Sequence, residues 1–333
     1  MDQSPLNPEL PTLGKSNIAT EVPGKARKNM KNKEWKLFWK NRELSLLFLP
    51  GFIYKLVLAY LPMIGIIIAF KNYRYDLGII GSKWIGFKNF EFFFASQDAF
   101  RVTRNTIFYN LGYMTITTIA ALAFAVMLNE ISQRSVKVYQ TIMFLPYFLS
   151  WVIVSYITYA FLDYNSGYIN HFLQSIGLAP KQWYLDYRPW PYILNAAHLW
   201  KAIGFSTLVY YAGIIGIDTD YYEAARIDGA SRMQMIFKIT LPMLTPLIVI
   251  LLILAIGGMF RGDFGLHYFI PNNSGPTFPT TDIIDTYVYR ALRALGDISM
   301  SAAVGFYQSV VGLILVVGAN YVVKKMNDEN SLF

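Results

Sequence analysis

Six stretches of this chain, Leu46 to Phe70, Thr106 to Leu128, Tyr139 to Leu162, Ile193 to Gly216, Leu241 to Phe260 and Ala303 to Val323, are apolar over the roughly 20 residues that cross hydrocarbon. Backbone amides find no water inside a bilayer, so each stretch must satisfy its hydrogen bonds internally as an α-helix. The expected fold class is therefore all-α, a polytopic membrane protein with six transmembrane helices. A content of 54% hydrophobic and 15% charged residues agrees, being too apolar for a usual soluble domain.

Charge orients the spans. With the N-terminus inside, the cytosolic pieces carry sixteen Lys and Arg against eleven in the outer loops, which puts both termini in the cytoplasm. Nine of the sixteen lie in residues 1–45, and the first outer loop, with Lys71, Arg74, Lys83, Lys88, Arg101 and Arg104, is itself basic. Residues 1–24 are Pro-, Asn- and Ser-containing and read as disordered. Lys25 to Arg42 interleaves basic residues with Trp35, Leu37, Phe38 and Trp39, the pattern of a helix lying on an anionic leaflet. Nucleic-acid binding is the other use of such a run, disfavoured by the adjoining span. A cleaved signal peptide is disfavoured too, because the apolar stretch that follows is longer than a signal core.

Several chemistries lack their residues. Gly14-Lys15-Ser16 misses the first glycine of a phosphate-cradling loop, so ATP has to be bound by another chain and no cofactor is expected here. Without cysteine there is no thiolate catalysis, thiolate metal site or disulfide. His171, His198 and His267 are too far apart for a local metal motif. An ion-coupled secondary transporter usually keeps a carboxylate at membrane depth, yet the six spans contain no Asp or Glu. Only Lys55, His198 and Lys201 are ionisable within them. Lys55 is read as snorkelling to the interface. His198 and Lys201 either face a watery cavity or bond to loop carbonyls.

Between the fourth and fifth spans lies Glu223-Ala224-Ala225-Arg226-Ile227-Asp228-Gly229, followed after nine residues by Ile239-Thr240-Leu241-Pro242. It reads as a short helix, a glycine hinge and a second helix entering the membrane. Asp220 is placed to cap the first helix with Glu223 as its third residue, both acids favouring the positive end of the dipole. The alanines leave a slim face, and Gly229 permits a bend. An ordinary loop helix with a glycine cap fits the residue types as well. The full spacing resembles the EAA loop of the permease subunits of binding-protein-dependent ABC importers, with every fixed position filled.

The resemblance extends along the chain after the tail, to the carbohydrate-uptake branch and most of all to permeases for complex polysaccharide fragments. Its stretches are Leu49-Pro50-Gly51, Pro62 with Ala69-Phe70-Lys71-Asn72-Tyr73, Trp84-Ile85-Gly86-Phe87-Lys88-Asn89-Phe90, Arg104-Asn105-Thr106, Asn129-Glu130, Leu145-Pro146, Trp200-Lys201 with Gly204, and Asp285-Thr286-Tyr287-Val288-Tyr289-Arg290. It implies a type I importer permease: a cytosolic tail (1–45), a six-helix domain (46–323) with its coupling loop at 217–242, and a C-terminal tail (324–333). It implies as partners a second, different permease subunit, two cytosolic ATPase subunits and an extracytoplasmic solute-binding protein, in a bacterial cell membrane. Glu223, Ala224, Ala225 and Gly229, with Asp228, Leu241 and Pro242, would then dock into the ATPase, and the chain itself would be no enzyme.

Sugars present C–H faces and hydroxyl edges, so their sites combine flat aromatic rings with hydrogen-bonding groups. Tyr147, Trp151, Ser155 and Thr158 recur at helical spacing on the third span, and Asn110, Tyr113 and Gln308 add polar groups on the second and sixth. These are the candidate substrate pathway for an oligosaccharide, although helix packing and interfacial belts use the same spacing. Trp183 to Trp190 and Arg261 to Arg293 are candidate contacts for the binding protein. Within the latter, Arg261-Gly262-Asp263-Phe264 and Asn272-Asn273-Ser274-Gly275-Pro276 depart from the family, so no substrate role carries onto them. The alternatives are the same architecture carrying another solute, and an ion-coupled transporter working alone.

Overall fold

The computed structural model describes residues 41–326. The expected tails, including the surface helix over Lys25 to Arg42, therefore lie almost wholly outside the described residues. The chain divides into two units, one ending at Ile64 and one starting at Gly65.

The first unit is helical. Helix α1 (Arg42–Lys55) contains Pro50 and passes into a π turn at Leu56–Tyr60, then into 3-10 geometry from Leu61. Pro62 has no amide hydrogen to give, so the regular ladder cannot continue through it unchanged. Its apolar side chains face outward, Leu47 being 79% exposed, as suits a helix solvated by lipid.

The second unit begins with a two-residue antiparallel pairing, β1 (Lys71–Asn72) against β2 (Lys83–Trp84). Helix α2 (Gln97–Asn129) runs the length of the unit, its first turn capped by the Ser96 hydroxyl on the Ala99 amide. Ser132 caps α3 (Gln133–Phe144), which tightens into a 3-10 turn at Leu145–Phe148 around Pro146. The chain then turns by 97° into α4 (Trp151–Leu162), capped by Ser150. Helix α5 (Trp190–Ile215) leads by a 70° turn into α6 (Asp220–Ile227). A capping box of Ser231 and Gln234 starts the short helix Arg232–Met235, a π turn follows over Ile236–Thr240, and α7 (Leu241–Gly257) continues it. Pro242 removes an amide from that ladder, a physical reason for the widened turn ahead of it. Beyond α7 come α8 (Phe264–Phe269), α9 (Ile284–Arg290) and α10 (Ile298–Met326).

By length and composition four helices can span a membrane: residues 42–70, 97–129, 232–257 and 298–325. The count is six if each bent pair, residues 133–148 with α4 and α5 with α6, is one span. The third expected span is thus corrected. Tyr139 to Leu162 is not one straight helix, because Leu149 adopts an extended conformation (ψ 135°) after the 3-10 turn. Tyr147 precedes the break and Trp151, Ser155 and Thr158 follow it, so the four do not form one continuous helical stripe.

Helices α2 and α5 pack along much of their length. Fully buried Ala121 and Ala125 share a cluster with Tyr210, Tyr211 and Leu244, small residues letting helices approach closely. At the other end of α2, Tyr109 and Tyr113 join Trp190, Leu194, Leu266 and Ile283 in a second cluster. The segment after α7 is fastened there. The Asn105 side-chain amide donates to the carbonyls of Pro279 (3.2 Å) and Asp282 (2.9 Å), and the Thr106 hydroxyl accepts from the Ile284 amide (3.0 Å). The Asp282 carboxylate, fully buried, pairs with Arg101 and Arg290 and accepts from the Thr286 hydroxyl. Two stretches far apart in sequence, Arg104-Asn105-Thr106 and Asp285 to Arg290, meet around this knot.

Candidate functional site

Two features of the second unit lie along α2, one against its middle turns and one beyond its C-terminal end. The first is a cavity of about 380 Å³ walled by α2, α5, α7 and the start of the following segment. Helix α2 presents Asn110, Tyr113, Thr117 and Thr118 to it, α5 presents His198 and Ser206, and Asp263 closes one side. The α2 positions fall at the three- and four-residue steps of one helix face.

Its polar groups are held by identifiable partners. The Asn110 side-chain amide donates to the carbonyls of Met259 (2.9 Å) and Arg261 (3.1 Å), tying α2 to the end of α7. His267 places Nδ1 2.8 Å from the Thr281 carbonyl, an acceptor, so Nδ1 carries the proton. Nε2 is then the acceptor, and the Tyr113 hydroxyl donates to it across 3.0 Å. His198 stacks on Tyr113 with ring centroids 4.0 Å apart. Asp263 accepts from Trp151 Nε1 (2.8 Å) and caps α8 through the Leu266 amide (3.2 Å). Two groups at the wall, the Thr117 hydroxyl and His198 Nδ1, are buried without any hydrogen-bond partner.

Asn110 and Tyr113, two of the candidate pathway residues, line this cavity. Trp151 stands behind it, bonded to Asp263. Tyr147 and Trp151, though split by the break, are brought together by Lys201, whose ammonium lies 5.5 Å and 5.0 Å from their ring centres and donates to the Tyr147 carbonyl (3.0 Å). The open choice for Lys201 thus falls to the carbonyl, and that for His198 to the cavity. Ser155 and Thr158 donate back to the carbonyls of Val152 and Val154 on their own helix. Buried Gln308 donates to the Phe260 carbonyl (2.6 Å) and Asp285 (3.3 Å), away from the cavity lining.

Sequence reasoning did not single out Thr117, Ser206 or Asp263 for this wall. Thr117 was within reach, lying one turn beyond Tyr113. Asp263 was not, since its position follows from how the segment after α7 folds back. Among the described residues, no three His, Cys, Asp or Glu side chains group as a metal site requires.

Burial lowers the His267 pKa to about 4. The unfolded imidazole takes up its proton near pH 6.5 while the folded one stays neutral down to about 4, so the unfolded state binds more protons in that window. Stability therefore falls as the pH drops from 6.5 toward 4, by on the order of 3 kcal/mol from this group. Detergent-solubilised protein is expected to melt at lower temperature at pH 5 than at pH 7, with a smaller difference for His267→Gln. An equal pH shift in both would contradict the assignment.

The second feature is the loop beyond the C-terminal end of α2. Helix α6 does not start as expected. Asp220 is its first residue rather than its cap, Thr219 precedes it without a side-chain cap, and Asp218 accepts from the Asp220 amide (3.1 Å). The capping box occurs eleven residues on, at Ser231 and Gln234, because the extended backbone that a cap needs is found there (Ser231 ψ 160°) and not at Thr219 (ψ −24°). The helix ends in a Schellman motif: the Gly229 amide donates to the Arg226 carbonyl (3.1 Å) and the Ala230 amide to the Ala225 carbonyl (2.9 Å). Gly229 is left-handed (φ 77°), so hinge and cap are one residue.

Glu223, Ala224 and Asp228 are exposed, Ala225 is half-buried, and Ile227 is 87% exposed. The helix is fastened from behind. Tyr222 and Thr240 share a hydrogen bond (3.0 Å), and Arg232 pairs with Glu130 at the end of α2 (2.9 Å). Leu241 and Pro242 open α7 directly after the π turn.

A bundle of long apolar helices around a cavity, with an anchored loop helix, is the architecture of a multi-pass membrane protein. Residues 114–328 match the family "Binding-protein-dependent transport system inner membrane component", and the chain belongs to it. It is 38% identical to Protein LplB of Bacillus subtilis (strain 168) over 87% of this chain and 91% of that one. It is also 38% identical to the polygalacturonan/rhamnogalacturonan transport system permease protein YteP of the same organism, over 87% and 90%. Among solved structures it resembles a bacterial ABC transporter involved in the import of the acidic polysaccharide alginate, with a TM-score of 0.80, 32% identity and coverage of 89% of this chain and 99% of that one. A second structure of a bacterial alginate ABC transporter, in complex with an alginate pentasaccharide-bound periplasmic protein, gives a TM-score of 0.79 at 32% identity over 88% and 97%. The fold is that of an importer permease, a transport component and not an enzyme.

Proposed function

We propose that this chain is the permease subunit through which an ATP-driven importer moves oligosaccharides across a bacterial cell membrane. The observation that carries the reading is the cavity wall, where Thr117 and His198 keep buried hydrogen-bonding groups unmatched beside the Tyr113 ring. Unmatched buried groups are costly, and a ligand rich in hydroxyls that presents C–H faces satisfies them. The saccharide and polysaccharide substrates in the names of its relatives support the same class.

In this reading both termini are cytoplasmic, which turns α6 toward the cytosol. Glu223, Ala224, Ala225, Asp228 and Gly229 then form the surface that enters a cleft of a separate ATPase, one of a pair, while a second permease subunit completes the translocation path. A solute-binding protein delivers sugar at the far end. ATP is handled by the ATPases alone, and this chain holds no cofactor. Closure of the ATPases displaces α6, and the Arg232–Glu130 pair carries the displacement to α2, which bears the cavity residues.

The test is uptake by the complex reconstituted in vesicles with its binding protein. ATP-dependent accumulation of oligosaccharide is expected, with Thr117→Val raising KM roughly 5-fold for loss of one hydrogen bond. Accumulation by this chain alone on an ion gradient would overturn the reading.

A further inference from the structure

A second cleft, about 440 Å³, opens at the end of the unit opposite α6, among the outer segments that the sequence offers as contacts for the binding protein. Its walls come from three places: the turn after α4, the connection ahead of α5, and the turn after α8. Each is pinned. Asn170, 1% exposed, donates to the carbonyls of Asp163 (3.2 Å), Tyr164 (3.2 Å) and Lys181 (2.9 Å) and accepts from the Lys181 amide (3.0 Å) and Trp183 Nε1 (3.1 Å). One buried asparagine thereby sets the spacing of two walls. The third is tied on by the Ser274 hydroxyl, which donates to the Tyr184 carbonyl (2.7 Å).

What faces the opening is suited to a sugar ring. Tyr159, Trp183 and Tyr184 supply aromatic surface, the Tyr159 and Tyr184 rings lying 5.7 Å apart, and Gln182 and Asn272 supply polar side chains. Asn272 and Asn273 both hold left-handed backbone (φ 58° and 46°), a conformation that costs energy and gathers at functional sites. The Tyr184 hydroxyl is buried with no partner. Hydrogen bonds from Ser166 hold the Asp163 carboxyl well below the usual carboxylate range, so it is a permanent acceptor and a fixed negative charge.

We propose that this cleft is a saccharide-binding subsite, separate from the membrane cavity, that holds a neutral sugar unit of the arriving oligosaccharide. Ring faces stack on Tyr159 and Trp183, and hydroxyls donate to Asp163 and bond to the Tyr184 hydroxyl. The carboxylate lines the cleft, whereas the Lys181 ammonium, 5.5 Å from the Trp183 ring centre, stands outside the lining, so a uronate is disfavoured at this position. The proposal rests on the oligosaccharide reading above and adds to it a place and a charge preference.

The test uses the assembled complex in nanodiscs without its binding protein, probed by saturation-transfer NMR with maltopentaose, xylopentaose and pentagalacturonate. Transfer to a neutral pentasaccharide is expected to exceed that to pentagalacturonate at least 3-fold. It should fall at least 5-fold in Tyr159→Ala and in Gln182→Ala, two exposed positions, and stay unchanged in Gly305→Ala, which lines neither the cleft nor the cavity and where an added Cβ meets nothing within 4 Å. Transfer insensitive to both cleft variants would overturn the subsite. So would cleft variants that weaken retention of ligand-free binding protein while leaving transfer intact, since the cleft would then serve that protein. If the wild-type complex neither imports nor contacts any of the three sugars, the oligosaccharide reading falls and takes the subsite with it.

Discussion

Gly204→Leu is expected to leave almost no assembled protein in detergent, while Gly305→Ala leaves the yield unchanged. A Cβ at Gly204 would lie 2.0 Å from the Met143 carbonyl oxygen and 2.4 Å from its carbon, where α5 crosses the end of α3. Both are backbone atoms and cannot rotate aside, so even alanine must push the two segments apart. Overpacking of a filled contact costs about 1–3 kcal/mol when side chains can yield, and more when the obstacle is main chain. The displaced segment leads into the 3-10 turn and the break before α4, so Trp151 and its bond to Asp263 at the cavity move with it. At Gly305 a Cβ meets nothing within 4 Å. The measurement is the monodisperse fraction on size exclusion beside the thermal midpoint, and a normal elution profile for Gly204→Leu would refute this account of the crossing.

The second large effect concerns coupling, not assembly. Glu223→Lys and Gly229→Val should each abolish sugar-stimulated ATP hydrolysis by the reconstituted complex and lower uptake at least 10-fold, with the spans still inserted and basal hydrolysis retained. Lysine puts a positive charge in the first turn of α6, where the helix dipole favours an acid, and removes an exposed carboxylate from the surface proposed to meet the ATPase. A Cβ at Gly229 meets nothing within 4 Å, yet its φ of 77° costs an L-residue roughly 1–2 kcal/mol and a β-branched one more. The Schellman motif then opens and α6 loses its fixed angle to the Arg232–Met235 helix. Stimulated turnover at the unaltered rate in both variants would remove the coupling role from this loop.

Much of the architecture was readable before any coordinates. Apolar runs near 20 residues have one solution in hydrocarbon, and the described helices overlap all six expected spans. The shape of the loop between the fourth and fifth spans was readable because its spacing is local, helix then glycine then helix, and the Schellman geometry at Gly229 explains why glycine stands there. The break at Leu149 was hidden. Its apolar run continues without a charge, and Ser150 as a helix cap looks the same in sequence as a serine within a helix. The cap of α6 was misplaced for a related reason, because Asp220 with Glu223 carries the right residue types while backbone angles decide which residue caps.

The cavity shows where local pattern ends. Asn110, Tyr113 and Thr117 share a face through helical periodicity alone, and that face could be drawn from the chain. Whether it meets water, lipid or protein could not. His198 over Tyr113, His267 beneath it and Asp263 at the rim converge from segments 65 to 154 residues apart, held by Asn105, Thr106 and Asp282 at the knot above them. Periodicity records which side of a helix a residue occupies, since that follows from bond geometry within one turn. Which sides meet depends on packing between helices distant along the chain, where a glycine's missing side chain or one buried carboxylate selects among arrangements that all bury apolar surface equally well.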